Sequence, residues 1–268
     1  MDDGLKNIAF GFLAFAVFHG CLEAKAHQDI KHQVEESFHH TGSVQIALQP
    51  RGLFGLIAND IRSIDVYGLR LQADNLPFGV HTKHSWQGSI QHLRLHYRDF
   101  RLRTLHIDRL DADVPNVKYD VQEALYREKL LLRGAGIGPA SVALKTESLT
   151  LFINHKYPDF YSDLNIKLNP GQVILSGKTS ILGLKLPFQV TGHLIQRDAR
   201  YIDLIAEQIL INGIRVMPQT AQSLVDKINP VLDINTDLGL NGIFTINDVS
   251  VDTEFITIRG LITFPKID

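Results

Sequence analysis

Twelve histidines invite a metal site, and the closest pairs are His81 with His84 and His92 with His96. Zinc holds imidazole nitrogens at about 2.0–2.1 Å, so its ligands must converge on one point. Residues four apart on a strand are separated by about 13 Å, at about 3.3 Å per residue. His92 and His96 therefore cannot share an ion if they lie on a strand. His81 and His84 can meet in a turn, but no nearby cysteine or carboxylate completes a tetrahedral set. No metal and no cofactor is expected.

The other chemical motifs fail on spacing. Gly177-Lys178-Thr179 resembles the end of a phosphate loop, but Gln172 to Ser176 separates it from Gly171, one residue more than that loop has. The insert contains Val173, Ile174 and Leu175 and reads as a strand. Arg133-Gly134-Ala135-Gly136-Ile137-Gly138-Pro139 lacks both the third glycine of a dinucleotide fingerprint and a following helix, so a hairpin connection is expected. Neither Gly42-Ser43 nor Gly88-Ser89 belongs to a Gly-x-Ser-x-Gly elbow. Asp108, Asp111 and Asp113 are the closest carboxylate cluster and read as a polar turn. Catalytic residues are not identified, and the protein is not expected to be an enzyme.

The elements around these residues are mostly strands. Val44, Ile46 and Leu48 alternate with Gln45, Ala47 and Gln49. Ile64, Val66, Leu69 and Leu71 follow, with Gly68 as the expected phase break. Leu53 to Ile57 is apolar without a period. Leu93, Leu95 and Tyr97 lie on one parity, Phe100 and Leu102 on the other, and Leu105 and Ile107 back on the first; such slips bend a strand. More strands are expected at Lys129–Arg133, Ser141–Lys145, Asn165–Asn169, Gln172–Thr179, Lys185–Ile195, Tyr201–Ile211, Ile243–Val251 and Phe255–Phe264. Asn169-Pro170-Gly171 and Leu182-Gly183 supply turns.

Helical spacing appears after Thr146, an expected N-cap, where Leu149, Phe152 and Ile153 share a face before Pro158. It appears again from about Pro218, with Leu224, Val225 and Ile228 on one face before Asn229-Pro230. Ile30, Val34 and Phe38 give Gln28 to His40 the pattern of a further amphipathic helix, expected to pack on the sheet, with a membrane-surface role as the alternative.

Upstream, Ile8 to Leu22 is apolar and leads into Ala24-Lys25-Ala26, a small-x-small cleavage pattern. Residues 1–26 are thus read as a signal peptide. The run of about 15 residues falls short of the roughly 20 that span a bilayer. Asp2 and Asp3 depart from a positive leader, which leaves a buried helix as the alternative. Gly20-Cys21 alone suits a lipoprotein site, the lesser option. Cys21 is the single cysteine, so no internal disulfide exists. The net charge of -2 gives no pull towards nucleic acid. Without a Pro/Gly/Ser-rich linker, residues 27–268 read as one elongated domain. Within it, Arg94, Arg98, Arg101 and Arg103 form a basic stretch with Tyr97 and Phe100, suited either to anionic headgroups or to a solvated strand face.

Ser141 to Asn154, SVALKTESLTLFIN, resembles a hallmark of the LmeA-like phospholipid-binding family, a strand running into a capped helix. HIDRLDADVPNVKYD at His106 to Asp120, LGLKLPFQVTG at Leu182 to Gly192 and INGIRVMPQTAQSLVDKINPVLD at Ile211 to Asp233 agree with it in order. These loose hydrophobic and turn patterns cover about residues 100 to 265. The resemblance implies a bacterial envelope protein that binds phospholipid, with a tubular lipid-binding (TULIP-like) fold and no catalytic residues.

The expected fold is α+β and β-dominated, a long bent antiparallel sheet wrapped around a few short amphipathic helices. The expected function is non-enzymatic phospholipid binding in the periplasm or outside the cell, with peripheral membrane contact. Leu149, Phe152, Ile153, Leu224, Val225 and Ile228 are the candidate cavity residues, with ordinary core as their other reading. Burial of each methylene is worth about 0.8 kcal/mol, so an acyl chain needs apolar cover. The alternatives are a structural or adaptor protein with a solid core, and a lipid or glycan hydrolase.

Overall fold

The computed structural model describes residues 28, 31–32, 35, 42–51, 60–73, 80–81, 86–126, 131–158, 161–181, 184–217, 225–240, 242–264 and 266–267. The leader, Leu53 to Ile57, Ile30, Val34, Phe38, His84 and Leu224 lie outside them. Gln28, Lys31, His32 and Glu35 are helical, with Lys31 and Glu35 paired one turn apart.

The first part of the chain forms β1 (Ser43–Pro50), β2 (Asp60–Leu69), β3 (Gln72–Ala73), β4 (Val80–His81), β5 (Gln87–Leu102), β6 (Leu105–Asp120), α1 (Val121–Tyr126), β7 (Leu132–Gly134) and β8 (Gly138–Lys145), with buried and exposed residues alternating most clearly in β1. The middle of the chain forms α2 (Thr146–Lys156), β9 (Tyr161–Asn169), β10 (Gln172–Ile181), β11 (Leu184–Gln196), β12 (Tyr201–Ile211), β13 (Ile214–Arg215), β14 (Leu232–Asp233) and α3 (Ile234–Leu238). The chain ends in β15 (Phe244–Val251), β16 (Phe255–Ile262) and β17 (Lys266–Ile267).

Two sheets result. The larger is curved and mostly antiparallel, and runs β1-β2-β5-β6-β8-β16-β15, with the small strands β3, β4, β7 and β17 at its margins. The smaller is the meander β9 to β13, with β14 beside β12. Their inner faces share one apolar core. The fold is therefore α+β and β-dominated, as the alternation predicted. α2 buries Leu149, Phe152 and Ile153 and packs against β6 and β8 of one sheet and β9 of the other.

Phase slips bend the long pair β5–β6. Buried Tyr97 gives way to buried Phe100, and Asp99 between them has φ +54. Opposite, Ile107 gives way to Leu110, so both strands slip together and the register is kept. Asn116, also at φ +54, marks the second slip, between Val114 and Val117. Asp and Asn tolerate this left-handed backbone better than branched residues do.

Several sequence expectations shift. The phase break falls at Arg70, φ +57, instead of Gly68. Gly68 is buried and in phase, and a Cβ there would stand 2.5 Å from the Tyr97 ring; the glycine makes room for that ring. The Arg133 to Pro139 segment is no hairpin, because β7 and β8 both run antiparallel to β6 in the same direction. Gly138 lets the chain press onto β6, since a Cβ would meet the Asp113 carbonyl oxygen at 1.8 Å. The expected strand at Lys129 to Arg133 is Leu132–Gly134, with Lys129 and Leu130 outside the described residues.

Thr146 is the first helical residue and Lys145 holds the N-cap position, without a side-chain cap. Asp108 accepts the N-cap residue's own amide, that of Lys145, at 2.7 Å, and the Ser148 hydroxyl in the first turn at 3.0 Å. Asp108, Asp111 and Asp113 thus lie within β6, not in a turn. Of the helix expected from Pro218, residues 218–224 lie outside the description; Val225 is helical and 226–228 form a turn. The Pro170-Gly171 turn joins β9 to β10 as expected, with Gly171 at φ +74.

Candidate functional site

β6, β8 and β16 present alternate residues to the two faces of the large sheet. On the inner face, Leu105, Ile107, Ala140, Phe244 and Ile258 meet Leu238 of α3 across a crevice lined by apolar side chains alone. It leaves about 20 Å³ for water-sized spheres, little above the roughly 10–15 Å³ that admits one water. Without polar partners a water has no reason to stay.

The crevice is roofed by Val231 to Leu240, and polar bonds fasten this roof at its rim. Arg200 donates twice to Asp233, at 2.9 and 2.8 Å. Lys156 donates to Asp237 at 2.7 Å and to the Pro230 carbonyl at 3.1 Å. Arg103 reaches the Thr236 carbonyl. The Asn229 side chain both donates to and accepts from the Leu204 backbone, imitating a strand partner. The Tyr157 hydroxyl donates to the Ile228 carbonyl at 3.1 Å; burial, with Asp237 adding to it, pushes this phenol up to about 12.

The structure brings the predicted apolar residues towards one another but not onto the crevice. Leu149, Phe152, Ile153, Val225 and Ile228 are all buried, and Lys156 and Tyr157 tie the α2 terminus to the Ile228–Pro230 segment. The crevice lining comes from other elements. Sequence reasoning missed Leu232 to Leu240, although Asp233 before Ile234 and Gly239 after Leu238 are the start and stop signals of a short helix.

The four arginines go to different partners. Arg94 pairs with Asp65 at 3.3 Å and Asp113 at 3.6 Å, and Arg98 donates through both terminal nitrogens to Asp111. Arg101 is exposed beyond the slip, and Arg103 turns towards α3. His92 and His96 project from the outer face as expected, each against its own carboxylate, Asp113 at 2.9 Å and Asp111 at 2.8 Å. Among the described residues, no group of three or more His, Cys, Asp or Glu side chains is placed to hold a metal ion.

One constellation is invisible in the sequence. His106 Nδ1 lies 2.8 Å from Ser148 Oγ and its Nε2 contacts Asp99. A serine nucleophile needs an approachable hydroxyl. Ser148 is 4% exposed and also donates to Asp108 at 3.0 Å. In this conformation the four groups fasten the start of α2 to the β5–β6 slip.

The outer face of the same strands carries an open depression of about 480 Å³, bounded by Arg98, Asp99, Asp108, Arg109, Lys145 and Phe255. Comparison of the chain with protein-family models, with curated proteins and with solved structures gives no match.

Proposed function

We propose that this protein binds phospholipid without covalent chemistry, holding acyl chain between the large sheet and the Val231–Leu240 roof. The reading is carried by the crevice, which is wholly apolar and closed by the short segment in which β14 leads into α3, with its fastenings at the rim. An acyl chain enters only if that roof moves. The gain from cover is large, about 0.8 kcal/mol per methylene. The LmeA-like resemblance and the leader-like Ile8 to Leu22 run support an envelope location. Ile214 and Met217, each about 70% exposed beyond the Asn212-Gly213 turn, suit the membrane contact in this proposal.

Native mass spectrometry and organic extraction of the purified protein test it. Co-purifying phospholipid is the expected result. Repeated absence of lipid, together with no binding to anionic liposomes, would end the proposal.

The small volume of the crevice favours a second reading, an adaptor or structural protein whose core is solid. That reading expects the same thermal stability before and after delipidation, whereas a bound lipid raises stability by mass action.

A further inference from the structure

The outer depression gathers three cations, Arg98, Arg109 and Lys145, around one aromatic ring. Arg98 and Arg109 are direct cross-strand partners on β5 and β6, and like charges placed opposite are destabilising. Lys145 joins them from the end of β8, where it pairs with Phe255 of β16. The Arg109 guanidinium and the Lys145 ammonium each lie over the Phe255 ring, at 5.5 and 5.7 Å from its centre.

The carboxylates of the rim are already engaged. Asp108 accepts from the Lys145 amide and Ser148, and Asp99 pairs with His106 and Arg70. Arg98 is held by Asp111. Among the described residues that line the depression, Arg109 and Lys145 are left as the cations facing the open space, both beside the Phe255 ring.

We propose that this depression binds a phosphate-bearing anion, with Arg109 and Lys145 as its ligands. A guanidinium fork matches phosphate oxygens in bidentate fashion, and an ammonium adds a second charge. The anion offsets the repulsion between Arg98 and Arg109. As a lipid headgroup site this rests on the phospholipid reading; as a soluble phosphate site it stands without it.

The test compares the wild type, an Arg109→Gln/Lys145→Gln double variant and a Lys167→Gln/Lys185→Gln control, which removes the same charge from the smaller sheet. Co-sedimentation uses phosphatidylglycerol/phosphatidylcholine vesicles against pure phosphatidylcholine, and a parallel NMR titration uses inorganic phosphate alone. Near an acidic surface each basic residue contributes about fivefold, so the double variant is expected to lose about 25-fold in vesicle affinity and the control much less. Arg109→Lys, which keeps the charge without the fork, falls between them and guards against a folding defect.

Selective loss with vesicles identifies a headgroup source. Selective loss of the inorganic phosphate shifts identifies a soluble source. Equal losses in the double variant and the control, or no loss in either experiment, overturn the site. Lipid content by extraction is read on the same samples. Acyl lipid on every sample with no selective loss in the double variant overturns this site alone, whereas selective loss of phosphate binding with no acyl lipid on any sample overturns the lipid-binding proposal alone.

Discussion

Asp233 joins two roles in one carboxylate. It caps α3 by accepting the amides of Asn235 and Thr236 and the Thr236 hydroxyl, and it receives both arms of Arg200. The Arg200 hydrogen bond, aided by Thr236 and Asn235 and opposed by burial, holds this carboxyl well below the usual carboxylate range. In the unfolded chain the same group titrates near about 3.9. Its contribution is therefore complete above that pH and is lost as pH falls towards the folded value. Asp233→Asn is expected to cost about 1–2 kcal/mol at neutral pH, the scale of a lost cap. The gap from wild type should narrow below about pH 4. Urea unfolding at pH 7 and pH 3 checks this, and an unchanged gap would show that the ionised carboxylate is not what matters. At this scale the sequence hides most of the site. Ser148, His106 and Asp99, or Arg109, Lys145 and Phe255, meet only because distant strands pair.

Strand elements were legible because one face of each is buried, so alternation survives along nearly the whole chain. The slip from Tyr97 to Phe100 could be read directly. The slip near Gly68 was misplaced because its glycine answers to Tyr97, which reaches it only through the parallel β2–β5 pairing. α1 and α3 are too short to show a helical period. Asp120 with Glu123, whose amide donates to the Asp120 carboxylate at 3.0 Å, was nevertheless a visible N-terminal signal. The bends themselves are testable at Asn116, whose left-handed backbone sits at the second slip. Asn116→Gly should be close to neutral, whereas Asn116→Val should destabilise by about 1–2 kcal/mol, the penalty of that conformation for a side chain with a branched Cβ. Equal stabilities by chemical denaturation would show that this position does not set the bend.

At the scale of the molecule, the chain's two ends build the large sheet and its middle builds the small one. The Val231–Leu240 roof is therefore the return path from one sheet to the other. Such a return segment must be covered inside and solvated outside, which explains apolar Leu232, Ile234, Leu238 and Leu240 below and the Arg200, Lys156 and Arg103 contacts above. The same arrangement serves a solid core or a lipid clamp, and the two differ in what filling the crevice does. Ala140→Val places added methyl groups into the 20 Å³ space. If the core is solid, the change either fills a small gap or overpacks it at about 1–3 kcal/mol, and no lipid is involved. If the roof opens over acyl chain, the variant should carry less phospholipid per protein and lose the stabilisation that lipid gives the wild type, while the delipidated forms differ little. Extraction and thermal unfolding on both forms decide between them: equal lipid content in variant and wild type would remove this crevice as the acyl site.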